Sequence, residues 1–326
     1  MSDVSSWMIG RSKSAQALRE LVDKVAPTDA TVLISGESGS GKELVAQAIH
    51  ARSARGAGPF LGINCGALPP SLIEPELFGF ERGSFPGAAR AHAGVIERAA
   101  GGTLFLDEVT EMSAKMQTRL LRLLETQRCL RVGGSREIQA DVRVVAATHR
   151  SPIQAVRDGA MREDLLYRLA VFPISLAPLR ERGDDVMLLA EHFLDELNVR
   201  NGTKREFSHA ARQTLREYQW PGNVRELKNT IERAYIMCEQ QLELQPLHIR
   251  PAVAERNLIS NSCASISVPI GSSLAQTERW LIEATLAHWG GNKNRAARTL
   301  GCSLKTLYNK LDLYERAGVQ ARGCNA

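Results

Sequence analysis

Three stretches of the chain are short, apolar and rich in β-branched residues: "TVLISG" (31–36), "GTLFLDE" (102–108) and "DVRVVAAT" (141–148). Runs of this kind predict strands buried on both faces of a sheet. Between them the spacing changes to a helical repeat. "MQTRLLRLLET" (116–126) sets leucines at 120, 121, 123 and 124, which predicts a helix with one apolar side. Strands alternating with helices through residues 1–172 predict an α/β subdomain built on a parallel sheet. Residues 173–250 differ. "DVMLLAEHFLDELNVR" and "NVRELKNTIERAYIMCEQ" are helical by spacing and nothing in 185–250 reads as a strand, so a small helical subdomain is expected. Residues 251–273, "PAVAERNLISNSCASISVPIGSS", are Ser-rich and aperiodic, the composition of a linker. Helical periodicity returns over 274–315, within a last domain expected over 274–326.

The 326 residues are 44% hydrophobic and 24% charged, an ordinary globular balance with room for two or three folded units. No apolar run approaches the ~18 residues of a membrane span, and "MSDVSSWMIGRSKSAQ" lacks the apolar core of a secretory signal. A cytoplasmic protein without membrane contact is expected. The six cysteines (65, 129, 238, 263, 302, 324) form no C-x-x-C pair and are expected to be reduced thiols, neither a disulfide framework nor a zinc site. The net charge of +5 is concentrated at one end: residues 272–326 hold eight Lys/Arg and four Asp/Glu. A short basic module on a nearly neutral body suits a polyanion.

"GESGSGKE" (36–43) lies between a strand and a helix. Gly36, Gly39 and Gly41 let the backbone N–H groups of Gly36, Glu37, Ser38, Gly39, Ser40 and Gly41 turn inward around phosphate oxygens. Lys42 supplies positive charge, and the next helix points its positive end at the same place. Glu43 stands where a Ser/Thr magnesium ligand is usual, so metal ligation must rest elsewhere. "GGTLFLDE" (101–108) supplies it: Asp107 is expected to hold Mg²⁺ and Glu108 to polarise the attacking water. ATP and Mg²⁺ are the expected cofactors.

The ordered set "IGRS" (9–12), "GESGSGKE", "INCGAL" (63–68), "ELFGFERGSFPGA" (76–88), "GGTLFLDE", "LLRLLE" (120–125), "RVGG" (131–134), "MREDLLYRL" (161–169), "APLRER" (177–182) and "WPGNVRELKN" (220–229) resembles the AAA+ bacterial enhancer-binding proteins. These are ATPases that activate RNA polymerase carrying sigma-54, and the resemblance covers nearly the whole chain. It implies an AAA+ P-loop parallel sheet with a helical lid, followed by an all-α helix-turn-helix domain. It also implies roles. Asn64 would hold the catalytic glutamate until γ-phosphate is sensed, and Thr148 would read that phosphate. Arg162 and Arg168 would be arginine fingers reaching a neighbouring subunit's ATP, and Arg225 a lid arginine on nucleotide. A finger acting in trans requires a head-to-tail ring, in this family usually a hexamer. Because the ATPase motifs begin near Met1, the chain resembles the stand-alone members, and a trans-acting regulatory protein is an expected partner.

The family's sigma-54 loop reads GAFTGA; here Gly83, Ser84, Phe85, Pro86, Gly87 and Ala88 give "GSFPGA". Phe85, the residue expected to touch sigma-54, is kept. Pro86 fixes φ, removes a backbone N–H and restricts Phe85 toward extended conformations. Two readings follow: a working loop in which Pro86 rigidifies the presentation of Phe85, or a regulator that binds DNA and hydrolyses ATP without activating sigma-54 efficiently. Since the other mechanical parts are present, the first is preferred. A repressor, an activator of another polymerase form, and a remodeller of unrelated proteins are the alternatives. A second departure is His149, where the family usually has Asn.

"RWLIEATLAHWGGNKNRAARTLGCSLKTLYNKLDLYERAG" (279–318) reads as three helices and resembles the Fis-like modules that end this family. Ser303 is a good N-cap for the third. Leu304, Leu307 and Leu311 are expected on one buried stripe, which turns Lys305, Thr306, Asn309 and Lys310, together with Ser303, toward double-stranded DNA.

Overall fold

A computed structural model describes residues 8–238, 241–246, 273–290 and 292–322. The chain divides into two compact units, Met1–Leu247 and His248–Ala326. The linker expected over 251–273 lies outside the described residues except for Ser273.

In chain order, the first unit holds α1 (Lys13–Val25), β1 (Val32–Ser35), α2 (Lys42–Ala51), β2 (Phe60–Asn64), α3 (Pro70–Phe78), α4 (Val95–Arg98), β3 (Thr103–Asp107), α5 (Ala114–Thr126), β4 (Arg128–Leu130), β5 (Glu137–Gln139), β6 (Arg143–Thr148), α6 (Pro152–Arg157), α7 (Glu163–Leu169) and β7 (Phe172–Ser175). It continues with α8 (Asp185–Asn201), β8 (Glu206–Phe207), α9 (His209–Glu217), α10 (Asn223–Met237) and β9 (Gln241–Leu242). The second unit holds α11 (Leu274–His288), α12 (Lys293–Thr299) and α13 (Leu304–Arg322).

The main sheet has the order β2-β3-β6-β1-β7, with every neighbouring pair parallel. β1, β3 and β6 are the three strands read from the sequence. Their period-2 alternation divides the core in two. Leu33, Leu104, Leu106, Val144 and Ala146 face the helices α3, α4, α5 and α7, while Val32, Ile34, Phe105, Val145 and Ala147 pack with α1 and α2. Continuous burial on both sides is what makes these strands read as unbroken apolar runs. The edge strands β2 and β7 are half-buried and were not expected as strands. β7 pairs with β1 as far as Ser175, so the sheet runs past the boundary expected at residue 172.

Arg143 opens β6 and is buried. Its guanidinium donates to the carbonyls of Val25 and Ala26, at 2.8 and 2.7 Å, tying the start of β6 to the carboxyl end of α1, where carbonyls have no partner within the helix. In the helical part of the unit, α8, α9 and α10 surround Leu189, Leu215, Trp220, Leu227 and Ile231. β8 and β9 form a two-residue parallel ladder there, a correction to the expectation of no strand in 185–250.

The three helices of the second unit close on Ile282, Ala296, Ala297 and Leu307. Cys65, Cys129, Cys238 and Cys302 are free thiols; Cys263 and Cys324 lie outside the described residues. Among the described residues no helix is long and apolar enough to cross a membrane.

Candidate active site

The carboxyl edge of the sheet gathers the chemistry. Parallel register sets Ser35 beside Thr148 and Asn64 beside Asp107, so the loop after β1 and the ends of β2, β3 and β6 open on one place, where ligands bind in such sheets. The loop 36–41 turns with positive φ at Gly39 (+74°) and Gly41 (+103°), angles that disfavour side chains. Gly39 also has no room for one: a Cβ would lie 2.4 Å from the Gly222 carbonyl. Lys42, in the first turn of α2, is buried; its Nζ donates to Gly36 O at 2.9 Å and lies 3.7 Å from Glu108 Oε1. Glu43 is exposed and accepts from Gln47 at 3.3 Å, so its carboxylate belongs to the helix surface.

The helical lid holds the phosphate loop from outside. Arg180 makes a bidentate pair with Glu37 at 2.7 and 2.9 Å, and this pairing, with Asn223, keeps the Glu37 carboxyl below its ordinary pKa. Asn223, left-handed at φ +52° and fully buried, donates to Glu37 Oε2 and Ser38 O at 3.0 and 3.1 Å and accepts from Leu179 N at 2.8 Å. Arg182 donates to Ser40 O at 3.0 Å, and Arg225 Nη1 to Ser38 Oγ at 3.3 Å.

Asp107 and Glu108 set two carboxylates side by side. Burial, and then the charge of Glu108, raise the pKa of Asp107 above its ordinary value. A hard dication between Asp107 and phosphate would relieve that repulsion, and a carboxylate with phosphate oxygens is the ligand set Mg²⁺ takes. The residues fit the ion. The same burial and charges push the Cys65 thiol up to about 12, which leaves it protonated and inert.

Two expected contacts are arranged differently. Asn64 donates to Asp107 Oδ2 at 3.0 Å and accepts from Gly66 N at 2.9 Å; it engages the neighbouring aspartate in place of the glutamate, because register sets it level with Asp107. Thr148 is fully buried, with its hydroxyl 3.1 Å from that of Thr110 and accepting from Arg150 N at 3.1 Å, so it faces away from the loop. The residue that reaches Glu108 is His149, whose backbone N–H and ring Nδ1 lie 3.1 and 2.5 Å from Oε2.

Beside the loop, a cavity of about 280 Å³ is walled by Ile9, Leu176, Leu189, Phe193 and Val224, with Ser40 and Gly41 at its phosphate end. The Ser40 hydroxyl is buried without a protein partner. Arg182, His192, Glu196 and Lys228 also line the cavity; a mostly apolar slot with polar groups on its wall, ending at a phosphate cradle, has the character of a nucleotide base and sugar site.

The loop 83–88 is folded at its tip. Phe85 O accepts from Ala88 N at 3.0 Å, with Pro86 at the second position and Gly87 at the third with φ +104°. That is the residue pattern of a type II turn, in which proline belongs at the second position and glycine at the third. Gly83 N donates to Ala88 O at 2.8 Å, and the buried Ser84 hydroxyl has no protein partner. Phe85 meets Phe80 edge-on, with centroids 5.0 Å apart. Arg162 and Arg168 are exposed on and just before α7. Arg162 pairs with Asp164 at 2.7 and 3.0 Å, and Arg168 donates to Leu124 O at 3.4 Å. Neither bonds the phosphate loop of its own chain. Buried Gln117 accepts from Arg162 N at 2.8 Å and so fixes where this segment starts.

In the second unit, Ser303 Oγ caps α13 by accepting from Thr306 N at 3.1 Å. Lys305, Thr306 and Asn309 are exposed. The expected leucine stripe is corrected at its start: Leu307 is buried and Leu311 partly so, but Leu304 is 39% exposed, since the small core does not reach back to the first residue of α13. Lys310 remains at the surface, where its ammonium pairs with Glu278 of α11 at 2.7 Å.

Residues 8–175 match the family model of the sigma-54 interaction domain, residues 180–264 that of the AAA+ ATPase lid domain, and residues 273–314 that of the Fis family of bacterial regulatory proteins. The chain belongs to the sigma-54 activators. It is an AAA+ ATPase with a Fis-type DNA-binding module. Curated relatives include the transcriptional regulatory protein FlbD of Caulobacter vibrioides, 42% identical over 98% of this chain and 73% of FlbD. ZraR of Escherichia coli is 45% identical over 93% of this chain and 68% of ZraR. Solved structures of NtrX from Brucella abortus, one in complex with ATP, align at 34% identity and TM-score 0.68, covering 94% of this chain and 68% of the ATP-bound NtrX chain.

The residues of this sigma-54 activator that sequence reasoning missed share one property. The cavity walls, Asn223, Arg180 and Gln117 come from segments far apart in the chain. "WPGNVRELKN" and "APLRER" signalled that their residues mattered but not what they touch.

Proposed function

We propose that the chain drives opening of promoters by the sigma-54 polymerase, hydrolysing ATP between subunits of a ring and holding upstream DNA through α12 and α13. The observation that carries the reading is the ion-paired cluster at the carboxyl edge: Lys42 from the phosphate loop and Glu108 from β3 within 3.7 Å, with Asp107 beside them. ATP would lie with its base in the apolar cavity and its phosphates in the loop 36–41. Mg²⁺ held by Asp107 would neutralise charge on the phosphate oxygens. Glu108 takes a proton from water as the water oxygen attacks the γ-phosphorus and the bond to the ADP oxygen breaks. Lys42 stabilises the charge left on ADP. The ATP complex of the NtrX relative supports the same ligand here.

Arg162 and Arg168, exposed and unbonded to their own phosphate loop, are suited to reach a neighbour's ATP, which couples hydrolysis to assembly of a ring, expected to be a hexamer. The loop 83–88 would carry the work to sigma-54. Its turn accommodates Pro86 at a position that suits proline, which favours a working loop over an idle one. Lys305, Thr306 and Asn309 would meet DNA.

The test is co-migration of sigma-54 with the protein under no nucleotide, ADP and an ADP–metal-fluoride analogue. Co-migration with the analogue is expected. Its absence in every state, for this chain and for Pro86→Thr alike, would favour a DNA-binding regulator that does not act through sigma-54.

A further inference from the structure

We propose that Asp185 is the positioning residue of the base site: it holds the segment 9–12 in place, so that Ile9 walls the cavity around a bound nucleotide. The inference rests on the reading of that cavity as a base and sugar site. Ile9, the first residue of "IGRS", and Met8 before it both line the cavity. They belong to different cores: Met8 packs with the sheet and Ile9 with the lid. The wall therefore stands where sheet and lid meet, and its position depends on what fixes the backbone there.

That backbone is held from two sides. Arg19 of α1 donates to Gly10 O at 2.9 Å and to Met8 O at 3.3 Å. Asp185, in the first turn of α8, is 2% exposed and takes the donors that follow. Its Oδ1 accepts from Arg11 N at 2.6 Å and Ser12 N at 2.9 Å, and its Oδ2 from the Ser12 hydroxyl at 2.5 Å. A carboxylate so buried is held by such donors, and three of them on two consecutive residues leave the chain one position. Gly10 lies close against the same group: a Cβ there would be 2.6 Å from Asp185 Oδ2, so the segment reaches the carboxylate only because this residue has none. Ile9 is the next residue along. Among the described residues, the bonds of the Asp185 carboxylate go to Arg11 and Ser12 and none goes to the loop 36–41. Asp185 thus acts on the base end of the nucleotide and not on its phosphates.

The test compares the full chain with Asp185→Ala, Asp185→Asn, Gly10→Ala, Ile9→Ala and the Ile9→Ala/Asp185→Ala double variant. Melting temperature, ATP affinity, KM and kcat are followed, together with inhibition by inorganic tripolyphosphate, which offers phosphates without a base. Asp185→Ala should weaken ATP and raise KM about 10-fold or more, the loss that one methylene of contact in an apolar pocket carries, with kcat at saturation and tripolyphosphate inhibition within about twofold of the parent. Asp185→Asn, whose amide oxygen still accepts from Arg11 N and Ser12 N, should recover most of the affinity. Gly10→Ala, which pushes the segment off Asp185, should reproduce the loss, and it carries the comparison if Asp185→Ala is unfolded at the assay temperature. In the Ile9→Ala background the alanine change at 185 should weaken ATP little further. Unchanged ATP affinity in the folded variant, equal weakening of ATP and tripolyphosphate, or an undiminished effect without Ile9 would each overturn the proposal. Tripolyphosphate bound as tightly as ATP by the unmodified protein would instead defeat the base-site reading beneath it.

Discussion

Replacing Asn223 by Ala would break the joint between lid and phosphate loop at its most buried point. The buried N–H of Leu179 would lose its acceptor, now 2.8 Å away, and an unsatisfied buried donor costs about 1–3 kcal/mol. Alanine would also have to keep φ at +52°, a conformation that disfavours a Cβ by about 1–2 kcal/mol and that asparagine tolerates. The bond to Glu37 adds little, because that carboxylate is 41% exposed and its pairing is screened by solvent. The total is about 3 kcal/mol, and for a unit of this size each kcal/mol moves Tm by about 2–4 °C, so a fall of about 6–12 °C is expected. Asn223→Gly loses the same bonds but not the backbone freedom and should lie about 1 kcal/mol above alanine. Asn223→Asp keeps the acceptor for Leu179 but sets a second carboxylate against Glu37, so it should melt above alanine and bind ATP more weakly than the unmodified protein. Thermal unfolding and ATP titration of the three variants check the ranking. A Tm for Asn223→Ala within about 2 °C of the parent, or at or above that of Asn223→Gly, would refute the reasoning.

Glu108→Gln should keep ATP affinity and lose turnover, and Lys42→Ala should lose affinity; equilibrium binding and phosphate release, measured separately, distinguish them. Arg162→Ala and Arg168→Ala should bind nucleotide and hydrolyse it poorly. Mixing either with Glu108→Gln subunits should restore part of the ATPase if fingers act across the interface, and no recovery in rings shown to be mixed contradicts that model. Phe85→Ala should keep ATPase and lose sigma-54 co-migration, while Pro86→Thr, which loosens the turn at 85–88, should not lower activation.

Legibility in the sequence followed burial and locality. β1, β3 and β6 are packed on both faces, so their apolar runs were plain, and the glycines of "GESGSGKE" state a backbone requirement that no other residue meets. β2 carries Gly62 and β7 carries Pro173; both strands lie at the sheet's edges and are half-buried, so neither shows a continuous apolar run. The Arg180–Glu37 pair joins residues 143 apart, a contact that only the folded chain creates. The motifs place Asn64 and Thr148 at the right edge, yet which carboxylate Asn64 meets, and that the Thr148 hydroxyl turns to Thr110, depend on strand register and on the path after Thr148. Pro86 was read as a stiffening change; the φ of Gly87 adds that the stiffening belongs to a turn suited to it. Leu304 illustrates the opposite error: helical spacing places it on the apolar stripe, but the small core between the three helices ends before reaching it.

Open-complex formation tests the central claim most directly. Closed complexes of sigma-54 polymerase on a promoter carrying the upstream site are mixed with the protein and ATP, and strand opening is followed by permanganate reactivity or by abortive transcripts. Opening is expected with ATP and the unmodified protein, and not with Glu108→Gln, with Phe85→Ala or with ADP. Opening that proceeds equally with Glu108→Gln, or no opening by the unmodified protein while it hydrolyses ATP and occupies its DNA site, would contradict the account.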